Sequence, residues 1–475
     1  MNEKNKVGTE VIFGSTREPK AIYKLLANAS KKNIEKKIKK KTKLHIIKKK
    51  FPTLNFLIFF VYSILLGKIF SSKNFISLKY RGCNIGRYAH PTVVREIETG
   101  NKSFLIIYLR LKYFFLAGSV TDTAYSLSNN ICGAYVDHGV YLNGIYMEVF
   151  LKKNLRIYSN GYPKGLFTFK LKKNSKIGFE YENLVKIGNN KISLKQKNKV
   201  KKIIKKKITD PNFIPWMKIV KYKKIDKEIN FDDFEYILYP QSFTDAQLNY
   251  GYDGYASIND WLVDTLRILR NSNKKVLVKP HPNFYDHFLL KVNKKTRENN
   301  ISYRDYIKYR AIKREFNCKN IKFLELPYSN IKFLKKLNKN KHIIITHHSS
   351  AILETSFFGF KCISSSACFW NKKISITNDW DNIEQYKKIL NTKFKKLKYP
   401  NKENVYKLFY GLYYNHFGPY GDGYYIKILT KLLNLNELDK YDTSYKKLNE
   451  KILKLPSKTL RTIDKISNNI EEIVL

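Results

Sequence analysis

Short apolar runs alternate with amphipathic stretches along the second half of the chain. Apolar, β-branched runs are typical of strands buried on both faces of a parallel sheet, whereas apolar residues spaced by three and four predict helices. The pattern predicts strands at 234–239, 275–279, 321–324, 342–346 and 362–364. It predicts helices at 258–270, 303–316, 331–337 and 351–358. This alternation predicts right-handed crossovers and a doubly wound α/β domain.

The first half of the chain has a less regular pattern. Residues 103–108 and 133–136 are apolar and strand-like. The Lys-rich stretch 191–207 predicts a surface insertion or a linker helix with solvated charges.

An uncharged apolar segment at 54–66 follows a strongly basic stretch. It is shorter than the ~20 residues that a membrane-spanning helix needs, and it lies too far along the chain for a usual signal peptide. One interpretation is a helix in the membrane interface, because the preceding lysines attract anionic lipid. The other is a buried core helix, and the sequence favours neither. The lysines are Lys31, Lys32, Lys36, Lys37, Lys39, Lys40, Lys41, Lys48, Lys49 and Lys50.

The overall charge of the 475-residue chain is strongly positive, at +51. A nucleic acid or another polyanion would be attracted to such a surface. However, Lys, Asn, Ile, Phe and Tyr are all abundant and all have AT-rich codons, which indicates compositional bias together with some attraction to anionic membranes. We therefore expect no nucleic-acid partner. The hydrophobic fraction of 43% is that of a folded protein.

The cysteines are scattered and include no C-x-x-C pair. Their odd number and wide spacing argue against a disulfide framework or a zinc site and predict a reducing compartment. They are Cys83, Cys132, Cys318, Cys362 and Cys368.

A stiff polar turn, Lys279-Pro280-His281-Pro282, follows the predicted strand 275–279. The two prolines hold the backbone extended and so fix the direction of His281. An imidazole there can hydrogen-bond a phosphate or protonate a leaving phosphate, and Lys279 adds positive charge. The alternative is a structural histidine that caps the turn.

A second polar cluster, Thr346-His347-His348-Ser349-Ser350, follows the strand 342–346. Ser349 and Ser350 lie where a helix should begin, so their hydroxyls and backbone N–H groups would face an anion; the alternative is a plain serine N-cap. Glu354 lies one residue too far along for a capping box and could bind a ribose. Because ligands bind beyond the carboxyl ends of parallel strands, we expect both clusters at one sheet edge.

Three further acidic positions are candidates. Asp245 follows the strand 234–239 and could be a catalytic carboxylate or a substrate contact. Asp253 precedes a glycine, which is more typical of a turn. Asp137 and its neighbour His138 would face a cleft only if the N-terminal half is also Rossmann-like.

Two motifs contain residue types that bind metals, but we interpret neither as a metal site. We expect Asp379-Trp380-Asp381 to lie in a polar loop far from the strand edge. The side chains of His347 and His348 should point to opposite sides, because they are neighbours at a strand end. We predict no metal.

The C-terminal half resembles bacterial capsule and surface-polysaccharide biosynthesis proteins of the GT-B glycosyltransferase type, similar to capsular Kdo-transferases and sialyltransferases. The resemblance is carried by 239–245, by 279–283, and by 346–350 with Glu354 and Gly359. Upstream, 80–87 and 137–141 look similar to segments of the acceptor-side domain in such proteins.

The resemblance implies roles for these residues. In related transferases that use CMP-activated sugars, an H-P motif and a serine pair contact the nucleotide phosphate. His281, Ser349, Ser350 and the neighbouring Lys279 would then bind phosphate, and Glu354 the nucleotide ribose.

The resemblance also bears on catalysis. Asp245 and His281 would be catalytic, and Asp137 and His138 would lie on the acceptor side. The acidic-acidic-Gly pattern of some relatives is absent, and its nearest match is Tyr252-Asp253-Gly254.

The resemblance further implies two Rossmann-like domains facing a cleft. We expect a basic extension with a short apolar helix at 1–75, an acceptor-side domain at 76–233, a nucleotide-binding domain at 234–430 and a helical tail at 431–475.

The activity we expect is that of a cytoplasmic glycosyltransferase at the inner face of the cell membrane. It would move a sugar from a nucleotide-sugar donor, with a CMP-sugar favoured, to a growing capsular or surface glycan or a glycolipid. It would need no metal and no cofactor. The alternatives are a CDP-polyol phosphotransferase of the teichoic-acid type, or a polyanion-binding protein without catalysis.

Overall fold

The structure is a computed structural model in which we describe most of the chain between Phe51 and Tyr414. The described residues are 11–13, 51–97, 103–129, 133–136, 140–160, 168–170, 191–209, 229–245, 248, 251–281, 284, 301–324, 328–349, 351–367 and 374–414.

Helices and strands are numbered in chain order within the described residues. The strands are β1 (Val11–Phe13), β2 (Gly133–Val136), β3 (Arg156–Asn160), β4 (Thr168–Lys170), β5 (Tyr236–Tyr239), β6 (Val276–Val278), β7 (Ile321–Phe323), β8 (Ile343–Thr346), β9 (Lys361–Ser365) and β10 (Asn378–Trp380). The helices are α1 (Leu54–Leu65), α2 (Ser72–Ile76), α3 (Ile85–Glu96), α4 (Ser103–Ser128), α5 (Asn143–Lys152), α6 (Leu194–Thr209), α7 (Ile258–Asn271), α8 (Ile301–Phe316), α9 (Asn330–Leu334), α10 (Ala351–Phe357), α11 (Ile383–Leu390) and α12 (Lys402–Tyr414).

The second half of the chain forms a six-stranded sheet in the order β10-β9-β8-β5-β6-β7. Every pair of neighbours is parallel. The first three strands along the chain, β5 to β7, run outward to one edge of the sheet, and the next three, β8 to β10, run outward to the other edge. This is the strand order of a dinucleotide-binding Rossmann fold. The predicted α/β fold class, doubly wound, is confirmed. The five predicted strands are all present.

Alternate residues of each central strand enter two different cores. Tyr236 and Leu238 of β5 belong to one cluster of buried apolar residues, and Ile237 and Tyr239 belong to the other. The sheet is therefore covered on both faces, which is why its strands read as continuous apolar runs.

Helix α7 shows how local sequence produces the covering layer. The Ser257 hydroxyl accepts a hydrogen bond from the Asp260 N–H at 3.0 Å and caps the first turn. The buried residues then recur at helical spacing, which turns one apolar face to the sheet. They are Ile258, Trp261, Leu262, Thr265, Leu266 and Leu269.

A second, smaller sheet has the order β1-β2-β3-β4. Its first three strands are parallel and β4 is antiparallel to β3. The strand expected at 133–136 is confirmed as β2. The domain boundaries inferred from the sequence stay a prediction.

The strand expected at 103–108 is wrong, because these residues begin the 26-residue helix α4. A short apolar run does not distinguish a strand from a buried helix. By length and composition alone α4 could cross a membrane, but half of its most apolar window is buried inside the protein. It packs against α1, α3 and α5.

The charged side chains of α4 support its role as a core helix. Buried Arg110 donates hydrogen bonds to the carbonyls of Ile69 and Phe70, both at 2.8 Å. Buried Asp122 accepts one from the Tyr80 hydroxyl at 3.1 Å. Both charged groups thus have hydrogen-bond partners within the protein, although Arg110 Nε has none among the described residues.

The Lys-rich stretch is a helix, as one of the two interpretations predicted, but it is not a purely surface element. It forms α6, whose Val200 and Ile204 are buried in the core beside β5 and β8. Lys195, Lys201, Lys202 and Lys205 are exposed on the other faces of the helix, which a Lys-rich amphipathic pattern permits.

Helix α1 contributes to the core through one face. Phe56 is fully buried and its ring lies 4.9 Å from that of Tyr80 and 5.5 Å from that of Phe114. The core interpretation of this segment is therefore confirmed for that face, while the opposite face is exposed.

The close packing of α1 on α4 predicts a specific sensitivity. A Cβ at Gly118 would overlap the Phe56 ring. Because overpacking costs about 1–3 kcal/mol, we expect Gly118→Ala to lower the free energy of unfolding in urea, although alanine is the better helix former. Phe56→Leu should recover part of that loss in the double variant. Additive effects of the two substitutions would contradict this packing.

Candidate functional site

The topological switch point of the sheet lies between β5 and β8, and the loops after these strands are hydrogen-bonded to each other. The Thr346 hydroxyl donates to the Tyr239 carbonyl at 3.0 Å. The His348 N–H donates to Gln241 Oε1 at 2.7 Å. In open α/β sheets the crevice at this position is where ligands bind.

Lys279 lies at the end of β6, beside the switch point. Its side chain is only 5% exposed, and its ammonium lies 5.1 Å from the centre of the Tyr239 ring and 5.9 Å from that of Phe333. Burial lowers the pKa of Lys279 to about 8, and the Glu354 carboxylate opposes this shift. Glu354 is itself buried and accepts a hydrogen bond from the Asn330 amide. The structure thus brings the two predicted polar clusters together through Lys279 and Glu354.

His281 is half-buried in the turn after β6. Burial, reinforced by the charge of Lys279, lowers the pKa of His281 to about 3. The ring is therefore neutral at physiological pH. It can donate a hydrogen bond to a phosphate, and it can donate a proton only after a bound anion has raised its pKa.

Aromatic stacking fixes the turns after β5 and β6 relative to each other. The rings of Phe243 and Phe284 are stacked with centroids 4.9 Å apart, and Tyr309 of α8 stacks on Phe284 at 4.7 Å. The Phe284 N–H also donates to the His281 carbonyl at 2.9 Å. His281 therefore stands on a rigid support.

Asp305 of α8 is a site residue that sequence reasoning missed. It is fully buried and accepts hydrogen bonds from the hydroxyls of Ser242 and Thr244, the latter at 3.4 Å. Its Oδ1 has no hydrogen-bond partner among the described residues. Burial, together with the nearby charge of Asp245, raises the pKa of Asp305 to about 7.

A signal for Asp305 was present in the sequence. Asp305 occupies the helical face that also carries Tyr309, Ile312 and Phe316, all of them buried. An acid on the apolar face of a helix is buried with it, and a buried acid needs donors nearby.

Asp245 ends the turn that Asp305 holds. It is exposed at the carboxyl edge of the sheet, and its N–H donates to the Ser242 carbonyl at 3.3 Å. The exposure of this carboxylate suits the role proposed for it, which stays a prediction.

His347 and His348 do not point to opposite sides, contrary to the expectation. Their Nδ1 atoms lie 2.6 Å apart, because β8 ends at Thr346 and the strand alternation stops there. His347 Nε2 also lies 2.9 Å from an Asp253 carboxylate oxygen. All three side chains are buried, so they form a continuous polar chain under the crevice.

The electrostatics of this chain favour an ionised Asp253. Burial alone would raise the pKa of Asp253, but His347 and the Ser365 hydroxyl lower it below its ordinary value. Burial and His347 lower the pKa of His348 to about 3, which keeps it neutral. The turn expected at Asp253 is therefore also an anchor for a histidine.

Ser349 lies two residues before the short helix α10 begins. Its hydroxyl accepts a hydrogen bond from the Ala351 N–H, the first of the helix, at 3.2 Å. The hydroxyl proton can still be donated to a ligand. Ser350, Asp137 and His138 lie outside the described residues.

The first half of the chain contacts this same edge through α3. Arg87 donates to the Leu248 carbonyl at 2.8 Å, and His90 Nε2 lies 3.0 Å from the Ala256 carbonyl. In return, Arg304 of α8 donates to the Arg95 carbonyl at 3.0 Å, at the C-terminal end of α3. A cation is stabilised there by the helix dipole.

The Asp379-Trp380-Asp381 segment was expected to be a polar loop, and this expectation is wrong. The segment includes the end of the edge strand β10. Trp380 is fully buried beside β9. The two carboxylates accept hydrogen bonds from Thr377 and Ser366. Within the described ranges no group of three or more His, Cys, Asp or Glu side chains is arranged to hold a metal. The metal-free site stays a prediction.

Comparison with known proteins gives only distant matches. No family model matches the chain, and no curated protein does. Among solved structures it is similar to Thermosulfurimonas dismutans KpsC, a beta Kdo 2,4 transferase, with 12% identity and a TM-score of 0.36, over 60% of this chain and 80% of that one. It is also similar to Methanocaldococcus jannaschii UDP-GlcNAc 2-epimerase, with 13% identity and a TM-score of 0.23, over 67% and 81% of the two chains. Similarities this low carry no argument about activity.

The raised pKa of Asp305 predicts how stability depends on pH. Its carboxyl ionises near 3.8 ordinarily and near 7 in the folded protein. The stabilising contribution of the proton is therefore fully present below 3.8 and is lost as the pH rises through 7. We expect Asp305→Asn, which cannot ionise, to gain stability relative to the wild type between pH 5 and 8, as measured by urea unfolding. A difference that is the same at both pH values would contradict the assignment.

Proposed function

We propose that this protein is a glycosyltransferase that moves a sugar from a nucleotide-activated donor, with a CMP-sugar favoured, to a growing surface glycan. The observation that supports this most is the buried ammonium of Lys279 at the switch point of a Rossmann sheet, with His281 two residues away.

The desolvation of Lys279 is the physical basis of the proposed donor site. An ammonium that is mostly removed from water, with Glu354 offsetting only part of the cost, gains when an anion binds beside it. A phosphate would receive charge from Lys279 and a hydrogen bond from His281. These are the two contributions that a nucleotide leaving group needs when its bond to the sugar breaks.

The proposed reaction is a displacement in which Asp245 acts on the acceptor, and Lys279 and His281 act on the leaving nucleotide. The acceptor hydroxyl oxygen attacks the anomeric carbon while the bond from that carbon to the phosphate oxygen breaks. Asp245 takes the hydroxyl proton as general base. The nucleotide leaves with the bonding electron pair, and Lys279 and His281 stabilise its phosphate.

The buried polar residues would hold the reacting groups in place. Asp305 binds the hydroxyls of the turn that carries Asp245. The chain from Asp253 to His348 underlies the loop after β8. Residues that hydrogen-bond the groups around a substrate in this way hold those groups in place without touching the substrate themselves.

Substitutions at the two phosphate contacts test the proposal. We expect His281→Gln and Lys279→Met to weaken binding of the cognate nucleotide about tenfold to a hundredfold, because each removes a charged or charge-assisted contact. The readout is the thermal shift of each variant with CMP, CDP, UDP and GDP, taken relative to its own unliganded midpoint.

The chain offers matched controls at the opposite edge of the same sheet. His342 is buried before β8, where its ring bonds to backbone groups of Asn338 and Phe231, and Lys361 is buried at the start of β9. His342→Gln and Lys361→Met should lower stability but keep the ligand-induced shift. An equal loss of the ligand-induced thermal shift in the test and control variants would contradict the proposed site. Mass analysis of the product then distinguishes a transferred sugar from a transferred polyol phosphate.

Nucleotide affinity should depend on pH through Lys279. With its pKa near 8, Lys279 is charged below pH 8 and neutral above it. We expect the affinity of the wild type to fall above pH 8, approaching about tenfold per pH unit if only the charged form binds. Calorimetry between pH 7 and 9.5 measures this, and Lys279→Met should show weak binding without the fall. A flat wild-type profile would show that Lys279 is not a phosphate contact.

A further inference from the structure

One face of helix α1 is apolar and exposed along its whole length. Its exposed residues recur with helical spacing and form a single stripe, which we call the α1 stripe. They are Leu54, Ile58, Val61, Tyr62, Leu65 and, just after the helix, Leu66. Phe51 and Phe70, at the two ends, are 73% and 60% exposed.

The opposite face holds α1 rigidly in the protein. Phe56 is fully buried against Phe114 and Tyr80. The Thr53 N–H and hydroxyl both donate to the Asp122 carboxylate at 2.9 Å. The stripe is therefore presented by a fixed helix.

The charged residues that flank the α1 stripe along the sequence are all basic. Between residues 51 and 95 the sequence contains no Asp or Glu, while Lys68, Lys73 and Lys79 follow the helix. The chain that leads into Phe51 ends in Lys48-Lys49-Lys50. An apolar stripe bordered by cations complements an anionic bilayer surface, whose headgroups attract each nearby lysine.

The same charges argue against a second copy of the chain as the occupant. Docking two α1 stripes against each other would bring together two sets of lysines on chains that each carry a net charge of +51. Like charges at an interface oppose association.

The dimensions of α1 determine how it would meet a bilayer. Twelve residues make a helix about 18 Å long, which is too short for a hydrocarbon core about 30 Å thick. The helix would thus lie in the plane of the interface, with Tyr62 at the level where aromatic side chains with a polar tip are favoured.

We propose that the α1 stripe is a docking surface for the face of an anionic lipid bilayer. The stripe inserts its apolar side chains among the headgroups, and the neighbouring lysines bind lipid phosphates. This inference does not depend on the proposed transferase activity.

Vesicle sedimentation tests the inference with the full chain. The wild type should bind vesicles of phosphatidylcholine with 30% phosphatidylglycerol and bind pure phosphatidylcholine much more weakly. The triple variant Ile58→Gln, Val61→Gln, Leu65→Gln should bind the anionic vesicles at least about tenfold more weakly, because it makes three of the six stripe side chains polar while leaving every lysine. Unfolding midpoints check that the fold persists, as expected for three exposed positions.

The control variant removes exposed apolar side chains elsewhere. Leu194, at the start of α6, and Tyr399, between α11 and α12, are 71% and 52% exposed and lie outside α1 and the residues that flank it. Leu194→Gln with Tyr399→Gln should leave vesicle binding unchanged. Equal binding by the triple variant and the wild type would overturn the proposal. A wild type that elutes as a dimer, with a monomeric triple variant, would overturn it in favour of self-association. Turnover with a soluble acceptor should be the same in all three proteins, so a failure here is distinct from a failure of the donor site.

Discussion

The parallel pairing of β5 with both β6 and β8 is the constraint on which the site depends. Leu238 is in register with Val278 on one side and with Ile345 on the other. The segments that follow these three strands must therefore emerge at one edge, although about 40 and 65 residues separate them along the chain. Lys279, His281 and the loop after Thr346 become neighbours through this pairing. The chain continues from β5 to β6 and β7 on one side of the sheet, and from β8 to β9 and β10 on the other.

Buried charge is what distinguishes this edge from an ordinary sheet end. Lys279, Glu354, Asp253 and Asp305 are all buried there, and burying a charged group opposes folding unless a partner compensates it. The protein supplies Glu354 for Lys279 and His347 for Asp253, whereas Asp305 takes up its proton near pH 7 instead. Shifted pKa values such as those of Lys279, Asp253 and Asp305 occur at functional sites more often than elsewhere.

The sequence predicted the elements of the second half well, because long amphipathic helices and β-branched strands carry strong periodic signals. It failed where the signal is ambiguous or non-local. The apolar start of α4 at 103–108 read as a strand, and the lysines of α6 concealed the buried Val200 and Ile204. Lys279 could be named from its motif. The burial of Asp305 could be expected from its place on an apolar helix face, but its contacts with Ser242 and Thr244, about 60 residues away, could not.

The central claim is that Lys279 and His281 bind the phosphate of a nucleotide at the switch point between β5 and β8. A crystal structure of the protein with CMP or CDP tests it most directly. The account predicts a phosphate oxygen within hydrogen-bonding distance of Lys279 Nζ and of a His281 ring nitrogen, with the nucleoside along the carboxyl edge of the sheet. A nucleotide bound elsewhere, with Lys279 still enclosed by Tyr239, Phe333 and Glu354, would contradict it.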